Sequence, residues 1–466
     1  MANEQQSPLT DAIMARIQKE VELLLTQFSP GTDTLDENEE MARTFALHCG
    51  AIAFETILEA NIQAHNNGHI GDVIEDESGR SHFERYEERW ILSHLGRFRF
   101  SRAYYWNPES KAGRIPLDEK WDLDSREPTP SLRTSIGMLS AEMPFARGRR
   151  IMRKTALLTL PEKRIQESGE ALGGVIKENR QQAAQEAAHT LQDAQTQLPV
   201  VLPFARERTL YVQLDGGRIN TTTSGWREPK VATLFWGDDV VEESKARRTI
   251  LNKEYIATLE DADHIATLLW EAACRWEWWR AKRVVVLGDG APWIWNRAGE
   301  LFPDAVQILD LYHAKEHIWK VARVLYGGRG KQKDKAAGKK SAKSAKDRRT
   351  EDWANERCYE LENGRFDDVI KKLNRCRPKN DEAQQTVDEL IHYLQENRCR
   401  MDYAKYRSEG LNVGSGAIES GVKNVVNQRM KGCGMRWAED KAENMLHLRS
   451  AHLSDVGPFA QLNRAA

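Results

Sequence analysis

Three hydrophobic periods succeed one another along the chain. Over residues 10–28, apolar positions fall at Ile13, Ile17, Val21, Leu24 and Leu25, and these spacings of three and four predict an amphipathic helix. A second, alanine-rich helix is expected over 36–64, opening on acids. The two helices form either a hairpin that buries its own apolar stripe or a dimerisation element. The period then shortens to two. Trp90-Ile91-Leu92, Gly96 and the run Arg97-Phe98-Arg99-Phe100-Ser101-Arg102-Ala103-Tyr104-Tyr105 alternate apolar and basic residues, which predicts a β-hairpin with one arginine face and one aromatic face. Over 132–173 helical spacing returns as three short segments broken at Pro144 and Pro161. Residues 179–197, rich in glutamine and alanine, read as a polar helix or linker, with Pro199 and Pro203 marking the boundary beyond it.

From Thr209 the pattern is that of strands. Expected strands cover 210–215, 231–236 and 248–258, a helix covers 262–280, and further strands cover 284–287 and 305–309. The helix carries Ile265, Leu268, Leu269, Ala272, Ala273 and Trp276 on one side. Three strands, a helix, a strand, a helix and a strand is the order of a ribonuclease H-like domain, whose mixed sheet sets the first and fourth strands side by side. Segment 327–349, with lysines at 331, 333, 335, 339, 340, 343 and 346, is of low complexity and expected to be mobile. Helical spacing over 353–406 then suggests an inserted α-domain. The expected division is a helical region at 1–88, the hairpin region at 89–130, a helix-turn-helix-like DNA-binding region and linker at 131–200, the first part of the core at 205–327, the lysine-rich loop and α-insertion at 328–408, and the rest of the core at 409–466. The fold class is thus α/β: a ribonuclease H-like mixed-sheet core with an α-helical insertion, preceded by a mostly helical region containing a β-hairpin.

Composition narrows the classes. Of 466 residues, 30% are charged and 40% hydrophobic, as in a soluble globular chain. No apolar run approaches the ~18 residues of a membrane span, and the first residues lack the pattern of a secretory signal. Membrane partners are not expected. The six cysteines contain no CxxC pair, which disfavours zinc ribbons and disulfide frameworks. The formal net charge of −2 does not advertise a nucleic-acid binder, but local charge does. Arg147, Arg149, Arg150, Arg153 and Lys154 crowd one short segment without balancing acids, a spacing compatible with a helix-turn-helix reader of DNA. A solvated basic helix is the plainer alternative.

The candidate chemistry lies in carboxylates. The runs Leu210-Tyr211-Val212-Gln213-Leu214-Asp215-Gly216 and Val284-Val285-Val286-Leu287-Gly288-Asp289-Gly290 each deliver one acid to a sheet edge. Glu419 follows 130 residues later in the phrase Gly414-Ser415-Gly416-Ala417-Ile418-Glu419-Ser420. One Asp-Gly after a strand is an ordinary turn. Two, with a third acid behind them, suit a pair of Mg²⁺ ions about 4 Å apart for phosphodiester chemistry, Asp215 bridging and Asp289 and Glu419 each holding one, with Mn²⁺ as a substitute. Glu419 is expected to open a helix through Val422, Val425 and Val426, with Gly414 and Gly416 allowing backbone to approach phosphate. Beyond it Lys423, Arg429, Lys431, Arg436 and Trp437 read as a cationic and aromatic strip on DNA. A packed Trp437 is the alternative. Trp293 and Trp295 are expected to border the cleft, while Trp270, Trp276, Trp278 and Trp279 read mainly as core.

The stretches LGDGAPWIWN, FPDAVQILDLYHAKEHIWKVARVLYG, RMDYAKYRSEGLNVGSGAIES and QRMKGCGMRW resemble the ISKra-group insertion-sequence transposases, a DDE family with a ribonuclease H-like core. The likeness is densest over 209–326 and 400–449. It implies Asp215, Asp289 and Glu419 as a catalytic triad. It also implies Mg²⁺-dependent cleavage and strand transfer at element ends, double-stranded DNA as partner and target, a homo-oligomer of at least two chains, and a cytoplasmic, nucleoid-associated location. Where such proteins often carry a cysteine pair after the hairpin, this chain has Trp106-Asn107-Pro108-Glu109-Ser110, which argues against a small zinc site there. Asp310-Leu311-Tyr312-His313 is similar to the D-x-x-H element of Mutator-like transposases, and it places His313 near the scissile phosphate; a helix cap by Asp310 with a structural histidine is the alternative. His313-Ala314-Lys315-Glu316-His317 also spells an HxxEH metalloprotease pattern, which would leave Asp215 and Asp289 unexplained. A nuclease or resolvase that cuts without joining, and a non-catalytic DNA-binding protein descended from a transposase, remain the functional alternatives.

Overall fold

The computed structural model describes residues 8–27, 34–76, 79–123, 127–196, 206–244, 247–327 and 344–459. The chain is mixed α/β and divides into two units, one of residues 1–140 and 144–168, the other of residues 141–143 and 169–466.

In the first unit α1 (Pro8–Gln27) packs on α2 (Leu35–Ala64). The start of α2 is fixed by a capping box, in which Thr34 Oγ1 accepts from Glu37 N and the Glu37 carboxylate accepts from Thr34 N at 2.8 Å. A sheet of β1 (Val73–Asp76), β2 (Gly79–Ser93), β3 (Gly96–Asn107) and β4 (Ala112–Arg114) is antiparallel throughout, in chain order. The boundary expected at 88/89 therefore falls inside β2. Ile91, Phe98 and Phe100 meet Leu58 and Ile62 of α2 and Leu117 of α3 (Pro116–Lys120), so α2 buries its stripe largely against the sheet. Of the expected arginine face, Arg97 and Arg99 lie over Trp90, but Arg102 points inward, where it and Arg89 hold the buried Asp118 at 3.0 and 2.6 Å. Where a cysteine pair is missing, Asn107 Oδ1 accepts from the backbone N–H groups of Glu109 and Ser110 and closes the turn by itself. One expectation is corrected. Over an 18-residue window α2 reaches a mean hydropathy of 1.2 and passes the length-and-composition test for a membrane span, with 11% of that window buried.

Three further helices carry the basic segment: α4 (Pro130–Glu142), α5 (Phe145–Thr155) and α6 (Glu162–Thr196). Leu132, Ile136, Met152, Leu158, Leu160 and Ile165 form their core. The breaks at Pro144 and Pro161 are where expected, but the third segment is not short. It runs without interruption through the presumed linker, because the glutamines, alanines and glutamates there are good helix formers.

The second unit is built on β5 (Arg206–Gly216), the small ribbon β6 (Ile219–Thr221) and β7 (Gly225–Arg227), β8 (Lys230–Trp236), a second ribbon β9 (Val240–Ser244) and β10 (Arg247–Ile250), β11 (Glu254–Thr258), α7 (Ala262–Arg275), β12 (Ala281–Gly288), α8 (Pro292–Leu301), β13 (Val306–Leu309) and α9 (Leu311–Tyr326). The five-stranded sheet has the order β11-β8-β5-β12-β13; β11, β8 and β5 are antiparallel neighbours and β5, β12 and β13 parallel ones. The strand expected over 248–258 is two: its first half pairs with β9 and only its second half joins the sheet. Likewise α7 stops at Arg275, where Trp276 caps it.

The insertion consists of α10 (Ala345–Glu362), α11 (Phe366–Asn374), α12 (Asp381–Glu396) and α13 (Tyr403–Ser408), and its apolar residues share one core with the sheet. Ser344 and Asp347 form a capping box, so residues 344–349 are ordered helix rather than part of a mobile loop. Lys331, Lys333, Lys335, Lys339, Lys340 and Lys343 lie outside the described residues. The chain returns to the sheet through α14 (Gly416–Gly421), a π-helical stretch (Val422–Asn427), α15 (Gln428–Met430) and α16 (Glu439–His452).

Candidate active site at the ends of β5 and β12

Parallel pairing of β5 with β12, in the register Val285↔Tyr211 and Leu287↔Gln213, brings Asp215 and Asp289 to neighbouring strand ends. They line a pocket of about 260 Å³ together with Leu214, Asp310, Tyr312, His313, Glu316, Ser415 and Glu419. The three acids read from the sequence thus share one pocket, and Asp310 of the D-x-x-H string and Glu316 add a fourth and a fifth. Asp310 does cap α9, accepting from Tyr312 N at 2.9 Å, yet its other oxygen accepts from Ser415 Oγ at 2.6 Å. Ser415 also lies 3.4 Å from Glu419 Oε1 and so ties the acid after β13 to the acid on α14.

Alternation along β5 explains how a residue so far downstream arrives here. Leu210, Val212 and Leu214 face one side of the sheet, and Tyr211, Gln213 and Asp215 the other. The Tyr211 hydroxyl accepts from Asn412 N at 3.1 Å, and Gln213 Oε1 accepts from Ile418 N at 3.0 Å. Two polar side chains of one strand face therefore clamp the returning segment on either side of the glycine-rich turn, and Glu419 lands beside the third. Gly290 is required after Asp289: its φ is +106°, and a Cβ there would meet the Tyr393 ring at 2.7 Å. The Tyr393 hydroxyl donates to Asp289 O at 2.8 Å. Gly414 has a comparable reason, since a Cβ would strike the Tyr312 ring at 2.6 Å; packing, rather than room for phosphate, accounts for it.

Crowding sets the electrostatics. Burial, then Asp289, and further the charges of Glu419 and Asp310, push Asp215 up to about 7 against the opposing hydrogen bond from Gly216 N. Burial and Asp310 raise Glu419 as well. His317, depressed by burial and by His313, stacks on Tyr393, and its Nε2 lies 3.2 Å from that of His313. The two histidines of the HxxEH string thus share a helix face, but His313 and Glu316 open into the acid pocket, so they belong with the acids rather than to a separate centre. Trp293 and Trp295 do not line the pocket; Trp295 is buried under Arg400. Among the described residues, the group whose ligand atoms close to within 4.8 Å of one another is a different one, His264, Glu443 and His447. The acid pocket is wider than that.

The model of the uncharacterised protein family UPF0236 matches residues 53–458, a span that holds all five acids of the pocket. The chain belongs to UPF0236. No curated protein matches it.

In this UPF0236 chain the expected DNA-binding residues separate into two sets. Arg147, Arg149, Arg150, Arg153 and Lys154 all lie exposed on α5, and Lys423, Lys431 and Arg436 are exposed in the second unit. Arg429 and Trp437 are not available to DNA. Arg429 is 1% exposed and lies over the Trp437 ring, while Trp437 Nε1 donates to Met430 O and its backbone N–H to Asn220 O. The reason lies in the helix before them. A π-helical stretch releases carbonyls from the α pattern, and the buried Arg449 of α16 donates to those of Asn424 and Val425, and to Ala141 O. That arrangement closes the strip into the core. Gln213, Ser415 and Tyr393 were not read as parts of the site. The polar alternation Tyr211, Gln213, Asp215 within an apolar run was the available signal for the clamp.

Proposed function

We propose that this chain is a DDE transposase that binds the ends of an insertion element and catalyses cleavage and strand transfer of double-stranded DNA. The observation that carries the proposal is the convergence of Asp215, Asp289 and Glu419, from two adjacent parallel strands and a helix far downstream, on one pocket. The sheet order supports a ribonuclease H-like core, with its antiparallel half β11-β8-β5, its parallel half β5-β12-β13, and acids at the ends of the first and fourth of these strands. The donor set is all oxygen and carboxylate, which suits Mg²⁺, with Mn²⁺ able to substitute, and the raised proton affinity of Asp215 comes from burial and then from the neighbouring acids. In this reading Asp215, Asp289 and Glu419 would hold the metal, and Asp310 positions Glu419 through Ser415. Bound there, it would supply positive charge at the attacking and leaving oxygens of an in-line displacement.

The remaining work falls to the protein. Tyr312, 59% exposed at the rim, stacks on an unpaired base, and His313 donates a hydrogen bond to a phosphate oxygen. Water opens the phosphodiester at the element boundary, and the freed 3′-hydroxyl attacks target DNA in the same pocket. The cations of α5, with Lys423, Lys431 and Arg436, neutralise backbone phosphates. Two ends must be held at once, so a homo-oligomer is part of the reading, and the exposed Val21, Leu23 and Leu25 of α1 are consistent with a partner chain. A cytoplasmic, nucleoid-associated location follows from that substrate.

The test uses purified full-length protein, DNA carrying the element ends, and Mg²⁺. Asp289→Ala should keep end binding and lose nicking; nicking that persists in this variant refutes the triad. Joining of pre-cleaved ends to target DNA separates a transposase from a nuclease that only cuts.

A further inference from the structure

A second cluster of ligand-type side chains lies apart from the acid pocket, where α7 and α16 both pack against β11. Glu443 and His447, four residues apart on α16, share one helix face. His264 faces them from the first turn of α7, and one ligand atom from each of the three lies within 4.8 Å of the others. His447 is fully buried, with Nε2 2.9 Å from Glu443 Oε1. Glu443 is fixed from the strand side, accepting from Thr258 Oγ1 at 2.7 Å and from Leu259 N at 2.5 Å. His264 Nδ1 lies 3.2 Å from the Glu260 carboxylate, which leaves Nε2 as the nitrogen turned inward; that atom is buried and has no hydrogen-bond partner. His447 Nδ1 likewise has none.

We propose that His264, Glu443 and His447 form a zinc site that staples α7 to α16 beside β11. Two imidazoles and a carboxylate are an ordinary tetrahedral zinc set with water as the fourth ligand, and at metal–ligand bonds of about 2.0–2.1 Å two ligands sit roughly 3.3 Å apart. The present spacings need only small adjustment to reach that. The surroundings are those of ligated histidine: Glu260 fixes the ring of His264 through its far nitrogen, and Thr258 and Leu259 orient the Glu443 carboxylate. His264, partly exposed, gives the ion a way in. The consequence reaches the candidate active site, because the same helix α16 carries Arg449, which braces the π-helical stretch directly after Glu419.

The experiment uses full-length protein stripped with a chelator, in an Asp215→Asn, Asp289→Asn, Glu419→Gln background that removes three of the carboxylates of the acid pocket. Zn²⁺ alone should bind at about one equivalent and raise Tm, and Co²⁺ should give the absorption of a tetrahedral site. His264→Ala, at a partly exposed position, should fold yet weaken Zn²⁺ binding at least about tenfold and abolish the rise in Tm. Absence of stoichiometric binding in this background, or binding unaltered by His264→Ala, would overturn the proposal. Neither result bears on whether the acids perform phosphoryl transfer.

Discussion

Two groups of charged side chains look alike as letters and differ in the folded chain. The cations of α5 all stand in water, whereas the stretch from Glu419 to His452 and the strand end facing it keep Arg429, Arg449 and the half-buried Asp215 away from it. A charge in water costs the fold nothing and is free to meet DNA. A buried charge needs partners, and it holds its surroundings in one arrangement. Burial pushes Arg449 and Arg429 down to about 10, a measure of what the fold gives up to keep them inside.

The largest effect should therefore come from Arg449. Arg449→Met keeps the bulk of the side chain and removes its donors, leaving the carbonyls of Asn424 and Val425 unmatched. A loss of about 3–5 kcal/mol is expected in urea unfolding. A loss below about 1 kcal/mol would mean that the π-helical stretch is braced by something else. Replacing Arg147, Arg149, Arg150 and Arg153 together by glutamine should leave Tm within a degree or two, because each side chain is exposed. The effect should fall on DNA instead. The slope of log affinity against log salt for any duplex should drop by roughly 3–4. A selective loss on element ends alone would make α5 a reader of sequence rather than of charge.

How much of this contrast was legible in the sequence depends on the range of the causes. Asp215 and Asp289 were legible because a β-branched run ending in Asp-Gly is a local statement, and their proximity followed from the order of the elements. The exposure of α5 was legible for the same reason: five cations without acids leave a short helix nothing to bury them with. Arg429 was misread and Trp437 took its packed alternative, because the partners that bury them are distant, with Trp437 bonded to Asn220 O, and no local pattern announces a π-helical stretch. Asp310 was legible as a cap, and that reading is correct, but its second partner, Ser415, is 105 residues away. Of the two readings left open for residues 179–197, a polar helix or a linker, the helix is the one found, and its continuity with the segment before it was not foreseen.

Asp215 tests the buried side of the contrast through pH. Its folded-state value of about 7 lies above the roughly 3.9 of an unfolded aspartate. Folding therefore favours the protonated form; the contribution is complete below the unfolded value and is lost as pH rises towards 7. Metal-free protein should lose stability across that window, and Asp215→Asn should lose less, because the raised Glu419 remains. Above about pH 7 the asparagine variant should be the more stable by roughly 1–4 kcal/mol. Mg²⁺ should narrow that gap by stabilising the wild type alone. Parallel stability profiles for the two proteins would show that Asp215 is not crowded by its neighbours.

The smallest expected effect is the most discriminating for the second unit. Lys423 lies within the π-helical stretch, between the buried Val422 and the carbonyls that Arg449 holds, yet its own side chain is exposed. If backbone position decided the outcome, Lys423→Gln would destabilise the chain as Arg449→Met does. If exposure decides, unfolding should change by less than about 0.5 kcal/mol. The salt slope for duplex binding should then fall by about 1, the share of a single phosphate contact. A stability loss above about 1 kcal/mol with an unchanged slope would place Lys423 with the buried cations, and α5 would be left as the main DNA-facing charge of the chain.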